Sequence, residues 1–138
     1  MAAQSHSYLA LIIDDEAELA DYIAEVATLA GFTARPLTSA CALLEELPQL
    51  QPMLIITDIC MPEMDGVELI EALARSGCTT PLVLVSGYGE KYLSITANLA
   101  TCLGLEVVAM VEKPLRLEHL QSLLHDLREQ LGGERGRD

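Results

Sequence analysis

The chain has 138 residues, enough for one domain with a buried core and too few for two independent ones. Hydrophobic residues make up 51% and charged residues 21%, which excludes a disordered chain, and no apolar run approaches the ~20 residues that span a bilayer. The formal net charge of −13 argues against direct binding to nucleic acid or to an anionic membrane, so we expect the partners to be proteins. Because no run of residues is long and apolar enough to span a bilayer, we expect the protein to be soluble and cytoplasmic.

The first strand–helix pair is predicted at the start of the chain. Residues 8–13 are an apolar run of strand length, and Asp14 and Asp15 follow it directly. Apolar residues then recur at helical spacing until Gly31, a residue type that often ends helices. Two carboxylates are therefore expected at the carboxyl end of a buried strand.

A weaker strand–helix pair follows. Residues 32–37 predict a strand, and Pro36 within it has no N–H for a hydrogen-bond ladder, which indicates the edge of a sheet. Ser39 then predicts the N-cap of a short helix that runs to Leu47 and is closed by Pro48.

The central strand is predicted over residues 53–57 and leads into Asp58. The residue before Pro62 avoids the helical conformation, so a loop must follow Asp58. Asp65, with Glu68 three residues later, predicts the capped start of the next helix. This unit consists of a strand, an acidic loop and a helix.

The second half of the chain continues the alternation. An apolar run over residues 81–85 predicts a fourth strand that ends in Ser86, and residues 90–103 predict the next helix. A fifth strand over residues 107–111 ends shortly before Lys113.

A last helix and two terminal segments complete the prediction. Five leucines at helical spacing mark the inner face of this helix: Leu117, Leu120, Leu124, Leu127 and Leu131. We assign residues 8–131 to the domain, residues 1–7 to an N-terminal extension and residues 132–138 to a polar tail or the start of a linker.

Continuous apolar strands that alternate with helices are typical of a parallel sheet covered on both faces. Right-handed crossovers and an edge position for the second strand favour the order 2-1-3-4-5, the doubly wound, flavodoxin-like arrangement with five helices. The carboxyl ends of parallel strands lie at the same edge of such a sheet. The predicted fold therefore gathers polar residues from distant parts of the chain.

Three carboxylates, one hydroxyl and one ammonium are expected to converge there, from Asp14, Asp15, Asp58, Ser86 and Lys113. Carboxylates this close repel each other, so one must be protonated or a cation must neutralise them, and Mg²⁺ suits such oxygen ligands. Asp58 could then attack the phosphorus of an anionic donor, while Lys113 and Ser86 meet the phosphoryl oxygens.

Four of these five residues also have an ordinary structural explanation, whereas the loop at Asp58 needs no acid for folding. Asp14 and Asp15 could cap the first helix, Ser86 could begin a turn, and Lys113 could be a solvated surface residue. All five residues are expected at the carboxyl ends of four predicted strands, and this shared position favours a functional site over a separate structural explanation for each.

The specific markers are the acidic pair Asp14-Asp15, Asp58 within the pattern D-x-x-M-P-x-M-D-G, Ser86 followed by a glycine, and Lys113 followed by a proline. With these markers the chain resembles the receiver domain of two-component response regulators, the chemotaxis-type fold. The resemblance covers residues 8–131.

The resemblance implies that Asp58 accepts a phosphoryl group from a histidine kinase, a phosphotransfer protein or a small phosphodonor. It implies Mg²⁺ bound by Asp15, Asp58 and the backbone carbonyl of Cys60, with Asp14 acting through water, and a cis Lys113–Pro114 bond. Such a chain is not an enzyme beyond assisting its own phosphorylation and dephosphorylation.

The resemblance also implies where partners bind. The fourth helix, the fifth strand and the last helix form the expected contact face for a partner protein, a fused output domain or a second copy in a homodimer.

One departure from the family concerns the residue three positions before Lys113. Many receivers carry an aromatic residue there that swings inward as the hydroxyl residue moves to the phosphate, whereas this chain has Met110. Methionine is flexible but lacks aromatic bulk, so we expect the loop with Tyr88 to carry more of the change when Ser86 moves.

Two further residues lie beside the path that a hydrolytic water must take. Cys60 and Tyr88 come two residues after Asp58 and Ser86, respectively. The bulk of Tyr88 could shield the acyl phosphate and slow its hydrolysis, and the alternative is an ordinary exposed loop aromatic.

Three other functions compete with that of a phospho-accepting receiver. A phosphatase of the haloacid dehalogenase type needs a second acid two residues after the nucleophile, where this chain has Cys60. A dinucleotide-binding domain needs a glycine-rich turn where Asp14, Asp15 and Glu16 stand. A receiver that binds its partner independently of phosphorylation remains an open alternative.

Overall fold

Strands and helices alternate along the described chain, which covers residues 8–136 in this computed structural model. The main sheet contains β1 (Leu9–Ile13), β2 (Thr33–Leu37), β3 (Leu54–Asp58), β4 (Leu82–Ser86) and β5 (Val107–Glu112). The helices are α1 (Ala17–Leu29), α2 (Ala40–Leu50), α3 (Gly66–Arg75), α4 (Glu90–Cys102) and α5 (Leu117–Gly136). A short antiparallel hairpin, Cys60–Met61 with Met64–Asp65, lies between β3 and α3.

All five strands of the main sheet are parallel, in the order β2-β1-β3-β4-β5. The predicted doubly wound, flavodoxin-like fold is therefore confirmed. Pro36 lies in the edge strand β2, where its missing N–H breaks no ladder on the outer side. Every residue of β3 is buried, which places Asp58 at the end of the most protected strand.

The core consists of two apolar clusters, one on each face of the sheet. Ala10 and Ile12 of β1 pack into the cluster that involves α1 and α5, whereas Leu11 and Ile13 pack into the cluster under α2, α3 and α4. Successive side chains of a strand point to opposite faces, so a strand covered on both sides must be apolar at every position.

Two predicted helix starts are confirmed. The Ser39 side chain accepts a hydrogen bond from the Ala42 amide at 3.1 Å and so caps α2. At α3, Asp65 Oδ1 accepts from the Glu68 amide at 2.8 Å, and Glu68 Oε1 accepts from the Asp65 amide at 3.0 Å. This reciprocal capping box fixes where the chain leaves the loop after Asp58.

The predicted end of α2 at Leu47 was wrong, because the helix continues through Pro48 to Leu50. Proline lacks the N–H that would donate to the carbonyl four residues earlier. Only two helical residues follow Pro48, and the loss of this one hydrogen bond does not end the helix. Gln51 ends the helix with a left-handed backbone, φ 46°, while its amide donates to the Leu47 carbonyl at 3.2 Å.

The last helix is also longer than predicted, since α5 extends past Leu131 to Gly136. Residues 132–136, predicted as the start of a polar tail, are therefore helical. A glycine ends a helix where it takes up a positive φ, as Gly31 and Gly104 do at 108° and 90°. Gly132 has no such conformation and continues the helix.

Arg128 anchors the last turns of α5 to the start of the sheet. Its guanidinium carbon lies 3.6 Å from the centroid of the Tyr8 ring, and its Nε donates to the Gly31 carbonyl at 3.1 Å. A side chain on Gly132 would collide with the Arg128 guanidinium. The glycine therefore leaves room for this packing.

Four of the five leucines predicted for the inner face of α5 are buried, and Leu117 at its first position is exposed. The predicted extension over residues 1–7 and the last two residues lie outside the described part of the chain, so the domain limits stay predictions. Within residues 8–136, no helix is both long and apolar enough to cross a membrane.

The backbone conformation at two helix ends leads to a paired prediction. Gly104 has a positive φ with open space around it, so Gly104→Ala should lower the free energy of unfolding by about 1 kcal/mol through backbone strain alone. Gln51→Gly should raise it by up to ~1 kcal/mol, because glycine adopts the left-handed conformation without strain. Urea unfolding of both variants measures these effects, and shifts of the same sign would contradict the explanation.

Candidate functional site

Three carboxylates meet at the carboxyl ends of β1 and β3. Asp14 and Asp15 follow β1, and Asp58 is the last residue of β3, its parallel neighbour. One carboxylate oxygen from each residue lies within 4.8 Å of the others. Asp14 and Asp58 are buried, at 1% and 2% exposure, while Asp15 is exposed. The structure thus brings the three predicted acids together.

Lys113 reaches the same cluster from the end of β5. Its Nζ lies 3.1 Å from Asp14 Oδ2 and 3.2 Å from Asp58 Oδ2, and its amide donates to the Ser86 carbonyl at 2.9 Å. The Lys113–Pro114 peptide bond is cis, as the resemblance implies. One ammonium against three carboxylates leaves the cluster with an excess of negative charge.

The electrostatics of Asp58 follow from burial and from its neighbours. Burial raises the pKa of Asp58, the negative charge of Asp14 raises it further, and the Cys60 amide and Lys113 oppose the shift. For Lys113, burial disfavours the ammonium, but the charges of Asp58 and Asp14 outweigh it, and the pKa of Lys113 is raised. The lysine is therefore protonated and holds two buried carboxylates.

The two oxygens of Asp14 differ in their surroundings. Oδ1 accepts a hydrogen bond from the Glu16 amide at 2.9 Å, so Asp14 also helps to begin α1. Oδ2 is buried, and its partner among the described residues is the Lys113 ammonium at 3.1 Å, which it shares with Asp58. Carboxylate oxygens with an excess of negative charge suit a hydrated divalent cation such as Mg²⁺.

The hydroxyl of Ser86 lies within the site but is turned toward the loops. Ser86 is fully buried at the end of β4, and its Oγ accepts from the Tyr88 amide at 3.1 Å. The same oxygen lies 3.4 Å from Cys60 Sγ, a contact that the sequence did not suggest. The Cys60 amide in turn donates to Asp58 Oδ1 at 2.9 Å, so Cys60 contacts both groups.

The two residues predicted to tune the site are both exposed. The Tyr88 side chain is 73% exposed, and its ring centroid lies 5.7 Å from that of Tyr92. Met110 is 48% exposed, while the next residue of β5, Val111, is buried. Both side chains therefore have room to move.

Sequence reasoning missed two residues that hold the loop between β3 and α3. Glu63 Oε1 accepts from the Ala40 amide at 2.9 Å, at the start of α2. On the other flank, Tyr92 Oη accepts from the Gly66 amide at 3.1 Å and donates to the Ile59 carbonyl at 3.3 Å. No periodic pattern marks these residues, because each contact joins segments that are far apart in the chain.

Comparison with known proteins decides the family. The family model described as the response regulator receiver domain matches residues 10–125, most of the chain. The chain belongs to this family. It is thus a receiver domain, a signalling module of two-component systems, and its acidic cluster occupies the place where receivers bind Mg²⁺.

Curated relatives of this receiver are longer proteins. The transcriptional regulatory protein FixJ of Bradyrhizobium diazoefficiens is 28% identical over 90% of this chain and 57% of its own length. FixJ of Rhizobium meliloti is 31% identical over 78% of this chain and 50% of its own length. The receiver therefore spans about half the length of the relatives that it matches.

Solved receiver structures match nearly the whole fold. A response regulator from Colwellia psychrerythraea aligns with a TM-score of 0.79 and 29% identity, covering 88% of this chain and 97% of that one. The structure of FixJ-N aligns with a TM-score of 0.71 and 28% identity, covering 91% and 93%. The relatives thus share the fold over their receiver portion.

The buried charge of Asp58 leads to a stability prediction. Without divalent metal, Asp58→Asn should raise the free energy of unfolding at neutral pH by about 1 kcal/mol, because it removes a carboxylate that burial and Asp14 disfavour. The exposed acid Asp21 supplies a control, Asp21→Asn, for which we expect little change.

The difference in free energy of unfolding between Asp58→Asn and the wild type should depend on pH. Because the pKa of Asp58 is raised above 3.8, the folded protein keeps a proton that the unfolded chain has lost, and stability falls as pH rises through the raised value. Asparagine does not titrate, so the advantage of Asp58→Asn should grow over that window. Urea unfolding in a chelator, from about pH 4 to pH 8, measures it. A stability difference that is negative, or that does not change with pH, would contradict the raised pKa of Asp58.

Proposed function

We propose that this receiver accepts a phosphoryl group on Asp58 from a histidine kinase, a phosphotransfer protein or a small phosphodonor. One observation carries the proposal: the buried Asp58 carboxylate lies 3.2 Å from the Lys113 ammonium, among acids whose charge that lysine only partly balances. We infer no activity beyond assistance to its own phosphorylation and dephosphorylation.

The residues present suit in-line transfer. An oxygen of Asp58 forms a bond to phosphorus while the P–N bond of a phosphohistidine donor breaks and the imidazole leaves with the electron pair. The Cys60 amide, 2.9 Å from Asp58 Oδ1, orients the carboxylate. Lys113, released from its pairing with Asp58, becomes available to the new phosphoryl oxygens as a positive charge.

The metal site is part of the proposal. Asp15, Asp58 and the backbone carbonyl of Cys60 would hold Mg²⁺, with Asp14 acting through water. When bound, the ion neutralises the acids and allows an anionic donor to approach. The presence of three carboxylates and a single ammonium supports this assignment.

We further propose that phosphorylation changes the conformation of Ser86 and of the loop that follows it. The Tyr88 amide is hydrogen bonded to Ser86 Oγ, so a serine that turns to a phosphoryl oxygen releases the backbone of this loop. Met110 occupies the place of the aromatic residue that many receivers move, and its exposed, flexible side chain is free to adjust.

The expected partner face lies on α4, β5 and α5. Several large apolar side chains on these elements or directly beside them are 43–54% exposed: Ile95, Leu103, Met110 and Leu117. Exposed apolar residues of this kind favour a protein contact. We propose that a partner, a fused output domain or a second copy binds there.

Phosphorylation is tested directly by intact-mass analysis after incubation with Mg²⁺ and acetyl phosphate. The wild type should gain the mass of one phosphoryl group, and chelation of the ion or Asp58→Asn should abolish the gain. Asp65→Asn, which alters an exposed acid of the same loop, is the matched control and should still be labelled. A wild type that stays unlabelled overturns the proposal.

The exposed ring of Tyr88 leads to a prediction on phosphoryl lifetime. Tyr88→Ala should shorten the lifetime several-fold because it opens a path for water to the acyl phosphate, whereas Tyr88→Phe, which keeps the ring, should change it little. The loss of phosphoryl mass with time measures both. Equal lifetimes for the alanine variant and the wild type would contradict shielding by Tyr88.

A further inference from the structure

Tyr92 connects α4 to both ends of the loop that carries the site. Its hydroxyl accepts from the Gly66 amide at 3.1 Å and donates to the Ile59 carbonyl at 3.3 Å. The side chain is half-buried in the first turn of α4, and Leu93 beside it is buried in the core. One oxygen atom on a packed helix thus joins the first residue of the loop to the first residue of α3.

Gly66 shows that the fold makes room for this hydroxyl. A Cβ on Gly66 would lie 2.9 Å from Tyr92 Oη, 3.0 Å from Ile59 Cβ and 3.1 Å from the Ile59 carbonyl oxygen. Gly66 is not among the glycines with a positive φ, so the backbone conformation does not require a glycine there. The need is for space, because only a bare Cα lets Tyr92 reach both partners.

The peptide group that Tyr92 holds is the one next to the reacting carboxylate. The Ile59 carbonyl, bonded to Tyr92, and the Cys60 N–H, bonded to Asp58 Oδ1 at 2.9 Å, belong to the same planar unit. Fixing both ends of a planar group fixes its orientation. The Cys60 carbonyl follows one residue later along the backbone.

We propose that Tyr92 is a positioning residue for phosphorylation: through the Ile59–Cys60 peptide, its hydroxyl sets the orientation of the Asp58 carboxylate and of the Cys60 carbonyl toward Mg²⁺. This inference rests on the proposed function and adds a residue of α4 to the machinery. Because α4 also carries part of the expected partner face, a partner bound there would contact the same helix that orients the metal site.

The test compares Tyr92→Phe with Tyr22→Phe. Both remove one phenolic hydroxyl, but Tyr22 lies in α1 and packs on the opposite face of the sheet, whereas Tyr92 binds the loop. Isothermal titration calorimetry should show that Tyr92→Phe raises the Kd for Mg²⁺ about threefold to tenfold, the range expected when the hydrogen bond to the Ile59 carbonyl is lost. Tyr22→Phe should leave the Kd unchanged. Equal Kd values for Tyr92→Phe and the wild type would overturn the proposal, since a purely structural hydroxyl would lower the unfolding midpoint alone.

Gly66→Ala tests the same contact from the other side. It should also weaken Mg²⁺ binding, and its effect should be smaller in the Tyr92→Phe background, where no hydroxyl is left to displace. Equal effects in both backgrounds would overturn the role of Tyr92. If Gly66→Ala folds poorly, the comparison of Tyr92→Phe with the wild type still decides the question.

Labelling by acetyl phosphate separates this inference from the proposed function. If the wild type is labelled and Tyr92→Phe needs about threefold to tenfold more Mg²⁺ for half-maximal labelling, with a similar maximal rate, both stand. If both proteins are labelled with the same Mg²⁺ dependence, only the role of Tyr92 fails. If the wild type binds Mg²⁺ but is not labelled, the proposed function fails and the Kd comparison still decides the role of Tyr92.

Discussion

The burial of two like charges side by side is the constraint on which the site depends. Asp14 and Asp58 end neighbouring parallel strands, and both carboxylates are almost inaccessible to solvent. Water cannot screen them there, so the arrangement persists only because Lys113 pairs with both at 3.1 and 3.2 Å. A single ammonium cannot balance the acids completely. The remaining negative charge makes the cluster unfavourable by itself, and a bound cation would lower that cost.

A second feature is the way the loop after Asp58 is held. The Cys60 amide ties it to Asp58, Glu63 ties its hairpin to the start of α2, and Tyr92 ties both of its ends to α4. Loops of this length are usually the most mobile parts of a fold. Here three hydrogen-bonded connections, to the sheet and to two helices, preorganise the segment that follows Asp58.

Membership of the receiver family places these details in context. The fold is shared closely with solved receivers, so the individual properties of this chain lie in its side chains. Met110 and the Cys60–Ser86 contact are two such properties. In this receiver the serine hydroxyl accepts a hydrogen bond from the Tyr88 amide and touches a thiol, so its orientation is tied to the loop of Tyr88 and to Cys60.

The sequence by itself determined the alternation of strands and helices, the edge position of Pro36 and the strand ends that carry Asp58 and Lys113. These follow from apolar periodicity and from local residue chemistry, which neighbours in the chain control. Only the tertiary structure decided the continuation of α2 through Pro48, the length of α5 and the roles of Glu63 and Tyr92 in holding the loop. Helix ends depend on what packs around them, and contacts such as that of Tyr92 with Ile59 form between segments that no local pattern connects.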